Sequence, residues 1–186
     1  MLSEKVRFNI AKCLTTFFYL GYSKLCPGTV GSVATLPVWL LITSWLSKYN
    51  FSATVLLTFL LEIIIFIFVI GVISTKLYIQ ETKKEDPPET IIDEVVGQMI
   101  AFFISLLAIV IRRMFGEFTP KICIAIPLFI TPIILFRIFD IKKPNLVGYI
   151  DKNMKSAYGV MLDDVVAGIY AGLVNLIIFF IYFKLC

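Results

Sequence analysis

ATVLLTFLLEIIIFIFVIGVIST occupies residues 53–75 and carries one charge, Glu62. A helix needs about 20 apolar residues to cross the hydrocarbon core of a bilayer, and this run exceeds that length. A helix apolar all round its axis is either buried in a large core or immersed in lipid. A chain of 186 residues that is 59% hydrophobic and 16% charged, with a mean hydropathy of +0.93, points to lipid. Soluble domains sit nearer half apolar and a quarter charged.

Outward from that run, four more stretches are apolar: Val33–Leu46, Val95–Ile111, Ile122–Phe136 and Val165–Phe183. The last is long enough to span. Val33–Leu46 and Ile122–Phe136 are short and carry Pro37, and Pro127 and Pro132. They are expected to be tilted, partly re-entrant or buried against their neighbours. The expected fold is all-α, a polytopic membrane bundle of four or five membrane helices formed by a single domain over residues 1–186. Leu2, Val6, Ile10, Leu14 and Phe17 recur at helical spacing among Lys5, Arg7 and Lys12. That pattern predicts an N-terminal interfacial helix and no cleaved signal peptide.

Five crossings from a cytoplasmic N-terminus place twelve Lys and Arg on the starting side and five on the other. The bias favours that orientation. A net charge of +4 is too small and scattered for nucleic acid, and suits an anionic membrane surface or a phosphorylated substrate. Cys13, Cys26, Cys123 and Cys186 form no C-x-x-C or metal spacing and are expected as free thiols.

In the same threading, four polar motifs fall on the cytoplasmic side. Cys26-Pro27-Gly28-Thr29-Val30-Gly31-Ser32 precedes the first stretch. It reads as a turn in which Thr29 or Ser32 caps the following helix, or as a helix start whose N–H groups receive a phosphate. Ile91-Ile92-Asp93-Glu94-Val95-Val96-Gly97 leads into the third stretch. Its acids either suit a helix N-terminus or put one carboxylate into a site. Phe136-Arg137-Ile138-Phe139-Asp140-Ile141-Lys142-Lys143-Pro144 leaves the fourth, with Arg137 within helical reach of Asp140. Met161-Leu162-Asp163-Asp164-Val165-Val166-Ala167-Gly168 leads into the fifth and echoes the second motif, as if paired acids stood at two equivalent helix starts.

Five acids therefore gather at one edge of the bilayer, where charge is tolerable only if paired or bound to cations. With no histidine in the chain, the ligands are oxygen only, which suits Mg²⁺ or Mn²⁺ rather than Zn²⁺. Hard cations beside basic residues are a setting for phosphoryl chemistry. The same absence excludes phosphohistidine and histidine triads. Ser32 stands where a C-x₅-R phosphatase needs its arginine. Neither a D-x-D-x-T/V nucleophile motif nor the CDP-alcohol phosphotransferase pattern fits.

Taken in order, Pro27–Ser32, Ile92–Gly97, Phe136–Asp140 with Lys143-Pro144, and Met161–Gly168 resemble the phosphatidylglycerophosphatase A family of bacterial lipid phosphatases, over roughly residues 21–175. The resemblance implies a Mg²⁺-dependent enzyme of the inner membrane that removes the terminal phosphate of phosphatidylglycerophosphate. It implies catalytic roles for Asp93, Glu94, Asp140, Asp163 and Asp164, with Asp93, Glu94, Asp140 and Asp164 on the metal. Phosphate would be met by Lys24, Arg137, Lys142 or Lys143 and by the Gly28, Thr29 and Ser32 segment. Membrane lipids are the other expected partners, and no nucleic acid is expected. The alternative is a transporter with an acidic vestibule, motivated by Glu62 inside the second stretch. Glu62 is expected to be protonated or hydrogen-bonded to a neighbouring helix.

Overall fold

Uninterrupted aliphatic sequence in lipid must satisfy its backbone internally, so each apolar stretch becomes a helix. The computed structural model describes residues 3–49, 51–116 and 126–185, and every regular element among them is helical. In chain order these are α1 (Glu4–Thr15), α2 (Pro27–Ser47), α3 (Ala53–Thr82), α4 (Ile92–Met114), α5 (Thr131–Lys142), α6 (Leu146–Asn153) and α7 (Ala157–Leu185). Four of them, α2, α3, α4 and α7, are long and apolar enough to cross a membrane.

Helix α3 starts where residues 53–75 predict, because the Ser52 side chain accepts the Val55 N–H. Its 30 residues make it about 45 Å long, against a hydrocarbon core of about 30 Å. The last turns therefore extend past the hydrocarbon. There α1 packs on them: Phe8 stacks on Tyr78, and the Thr15 and Thr75 hydroxyls bond at 3.3 Å. Leu2 lies outside the described residues. Phe17 falls beyond the end of α1 and opens a left-handed stretch, Phe17 to Tyr19. At the opposite edge Trp45, Tyr49, Phe51 and Phe59 form a chain of ring contacts, as an interfacial aromatic belt does.

Two helix starts differ from expectation. Helix α2 begins at Pro27, so all of the first polar motif after Cys26 lies inside the helix and is not a turn before it. Proline at a first helical position sacrifices no hydrogen bond. The hydroxyls of Ser32 and Thr35 donate to the carbonyls of Gly28 and Gly31, one turn back, and cap nothing. Helix α7 begins at Ala157, so Asp163 and Asp164 stand in its second turn. Ser156 causes this: its Oγ accepts the Gly159 N–H at 3.3 Å, and its carbonyl accepts from Val160.

The fourth apolar stretch is broken by its prolines. Residues 122–125, with Lys121 and Cys123, lie outside the described residues, as does Cys186. A π-helical turn, Ile126–Ile130, then leads into α5, with Pro132 in its first turn. Twelve residues make α5 about 18 Å long, too short to cross alone. Asn175 shows where it begins: its Nδ2 donates to the Pro127 carbonyl at 2.7 Å and to Ser105 Oγ at 2.8 Å. Ser105 and Asn175 each lie about 16 Å along their helices from Glu94 and Asp164. The π turn is thus held near mid-depth, and α5 runs from there to the acidic edge.

One core, built on Trp39, Val95, Val96, Met99, Phe102 and Met161, joins α2, α3, α4 and α7. A second, around Phe136 and Val147 with Ala101, Ala167 and Ala171, seats α5 and α6 on α4 and α7. Glu62 is exposed on the outer side of α3 and makes no hydrogen bond among the described residues, so the expected bond to a neighbouring helix is not made.

Candidate functional site

The site is assembled by the crossing of α4 and α7. A Cβ on Gly168 would fall on the Gly97 carbonyl, and one on Gly97 would meet the Asp164 carbonyl and the Phe136 ring. Only hydrogen at both positions allows the backbones this approach, which brings the acid pairs of the second and fourth motifs together. Within each pair the first carboxylate accepts the next residue's N–H: Asp93 from Glu94 and Asp163 from Asp164, both at 3.0 Å. The sequence echo between the motifs is thus also an echo of local geometry.

Asp93, Glu94 and Asp164 each offer an oxygen within 4.8 Å of the others. Asp93 and Asp164 are only 8% and 4% exposed. Two buried carboxylates and the part-buried Glu94, held this close, repel one another and have lost most of their water. The arrangement fits a hard divalent cation, for which oxygen-only ligands from flexible carboxylates are the usual donors.

Asp140 reaches the same cleft from α5 but stands outside the trio. Its Oδ2 lies 2.5 Å from Arg137 Nη1, the pair expected from their spacing, and that guanidinium lies 4.0 Å from Glu94 Oε1. Gly28 of α2 makes room here, since a Cβ would overlap Glu94 and the Arg137 guanidinium. Asp163 is drawn away from the trio by Lys143, whose Nζ donates to Asp163 at 2.9 Å and to Asp151 of α6 at 2.6 Å. Burial alone would push the Lys143 ammonium down, but its bonds to Asp151 and Asp163 outweigh that and hold it above the ordinary lysine range. Beside the cleft, burial pushes Glu89 up, yet bonds from Tyr78, its own backbone N–H and Lys84 bring it below the ordinary glutamate range.

The acids, with Lys143 and Asp151, line an open cleft of about 170 Å³. Lys24, Thr29 and Lys142 are exposed and do not line it. Ser32 is buried, with its hydroxyl committed to Gly28. Of the cysteines, Cys13 and Cys26 are free thiols. Asp151 escaped the sequence reading because α6 has no motif of its own. Gln98 escaped too, although its position four residues after Glu94 on one helical face was a usable signal.

A profile of the family described as phosphatidylglycerophosphatase A matches residues 13–179. The chain belongs to the phosphatidylglycerophosphatase A family. Phosphatidylglycerophosphatase A of Escherichia coli is 28% identical over 156 residues, covering 84% of this chain and 76% of its own. A Bacteroides thetaiotaomicron protein provisionally named phosphatidylinositol-3-phosphatase is 33% identical over 156 residues, 84% of this chain and 85% of its own. The Haemophilus influenzae phosphatidylglycerophosphatase A shares 50% over 40 residues, 22% of this chain. No solved structure matches this chain at a significant level. As a member of the phosphatidylglycerophosphatase A family built on membrane-length helices, the chain is a membrane phosphatase with a buried acidic cluster at one end of its bundle.

Proposed function

We propose that the enzyme removes the terminal phosphate of phosphatidylglycerophosphate, giving phosphatidylglycerol, at the cytoplasmic edge of a bacterial inner membrane. The reading is carried by the meeting of Asp93, Glu94 and Asp164 beside the Arg137–Asp140 pair. Asp93, Glu94 and Asp164 would hold Mg²⁺. Bound there, Mg²⁺ supplies Lewis-acid polarisation of the phosphate and a more acidic water.

The chain's own groups do the rest. Asp140 orients the Arg137 guanidinium, whose planar fork suits two phosphoryl oxygens. Asp151 and Asp163 hold Lys143 as a positive charge lining the cleft. Because Asp163 is committed to Lys143 and Asp140 to Arg137, three of the five carboxylates remain for the cation. The lipid tails stay in the bilayer while the head group reaches the cleft. A transporter would need ionisable groups lining an inner path. Here the acids that line a cavity sit at one edge, and Glu62 faces outward.

The test is release of inorganic phosphate from phosphatidylglycerophosphate by the purified protein, with and without Mg²⁺. Phosphatidylinositol 3-phosphate serves as the comparison lipid, given the name of the Bacteroides relative. Release that depends on Mg²⁺ and favours phosphatidylglycerophosphate is expected. Equal release after chelation would remove the metal assignment, and preference for the inositol lipid would change the substrate.

A further inference from the structure

Gln98 lies one turn beyond Glu94 on the same face of α4 and is fully buried, yet neither atom of its amide has a hydrogen-bond partner among the described residues. Glu94 Oε2, at the acidic end of the same face, and Nε of Arg137, whose guanidinium reaches Glu94 from α5, are buried and unpartnered as well. Native proteins bond nearly all such groups, so this cluster is shaped for something that both donates and accepts. Helical side chains lean toward the helix N-terminus, which offers the Gln98 amide toward the acids.

A phosphate oxygen would satisfy the amide's N–H but leave its carbonyl unpaired. A hydroxyl satisfies both. Depth points the same way. In a phospholipid monophosphate, the alcohol bearing the terminal phosphate leads back toward the acyl chains, and Gln98 lies one turn deeper in the bilayer than the acids.

We propose that Gln98 binds a hydroxyl of the head-group alcohol that carries the scissile phosphate, and so determines which phospholipid monophosphates are accepted. This rests on the lipid-phosphatase reading above. The experiment compares kcat/KM for phosphatidylglycerophosphate with that for an analogue lacking the head-group secondary hydroxyl. Wild type, Gln98→Leu and Gln98→Met are measured, with thermal unfolding followed in detergent.

Wild type is expected to favour the hydroxylated lipid by about ten- to a hundredfold. Both variants should bring that ratio near one while unfolding at or above the wild-type midpoint, because a buried unpaired amide is gone. Should the amide hold only structural water, the variants shift the midpoint and leave the ratio intact, which overturns the assignment. A wild-type ratio of one overturns it without any variant. No phosphate release by wild type from either lipid overturns the phosphatase reading, and this assignment with it.

Discussion

Asp164 is 4% exposed, with two further carboxylates within 4.8 Å. Without a cation, that burial costs stability through desolvation and mutual repulsion. Asp164→Asn should therefore unfold at the wild-type temperature or higher when Mg²⁺ is absent. Wild type should gain about 2.7 kcal/mol at Mg²⁺ a hundredfold above its dissociation constant. The variant should gain none and lose activity by more than about a hundredfold, beyond the ten- to hundredfold typical of an outer partner. Thermal unfolding with and without Mg²⁺, alongside phosphate release, checks this; undiminished Mg²⁺ stabilisation would remove Asp164 from the site. At this scale the sequence was legible as a list of acids but not as a division of labour. Asp163 and Asp164 are adjacent and chemically identical. Only Lys143, brought to the cleft by α5, separates their roles.

At the scale of elements, the contact of Gly168 with the Gly97 carbonyl positions the site. Adding one methyl at Gly168 forces backbone from backbone, an overpacking cost of about 1–3 kcal/mol. Gly168→Ala should lower the unfolding midpoint accordingly and raise the Mg²⁺ concentration needed for half-maximal activity, since the acid pairs move apart. An unchanged Mg²⁺ requirement would mean the crossing does not set the cation site. The interiors of α2, α3, α4 and α7 were legible because apolar composition dictates helix in lipid. Two starts were misjudged, at Pro27 and Ala157, because a proline at the first position of α2 and the Ser156 cap on α7 carry the helices through polar residues. Pro127 and Pro132 signalled a broken fourth stretch, but the depth at which α5 begins had no local signal. It depends on Asn175, which is far along the chain from Pro127.

Across the whole molecule, Cys26 lies exposed at the acidic end of α2 and Lys48 just past the other end. On the proposal that the acids face the cytoplasm, a membrane-impermeant maleimide should label Cys26 in inside-out vesicles and leave it unlabelled in right-side-out ones. Lys48→Cys, in a Cys26→Ser background, should show the reverse, and labelling of Cys26 only from the outside would invert the topology. The sequence by itself determined that this chain belongs in lipid, that it is helical, and that its acids collect at one membrane edge. Hydrocarbon imposes the first two through length and composition alone, and the third follows from where the acidic motifs fall between the apolar stretches. Only the tertiary structure decided which three carboxylates meet, which acid is held by lysine, and that a buried amide lies beneath them. Those outcomes depend on how closely helices distant in sequence approach, and glycine contacts and one asparagine set that distance.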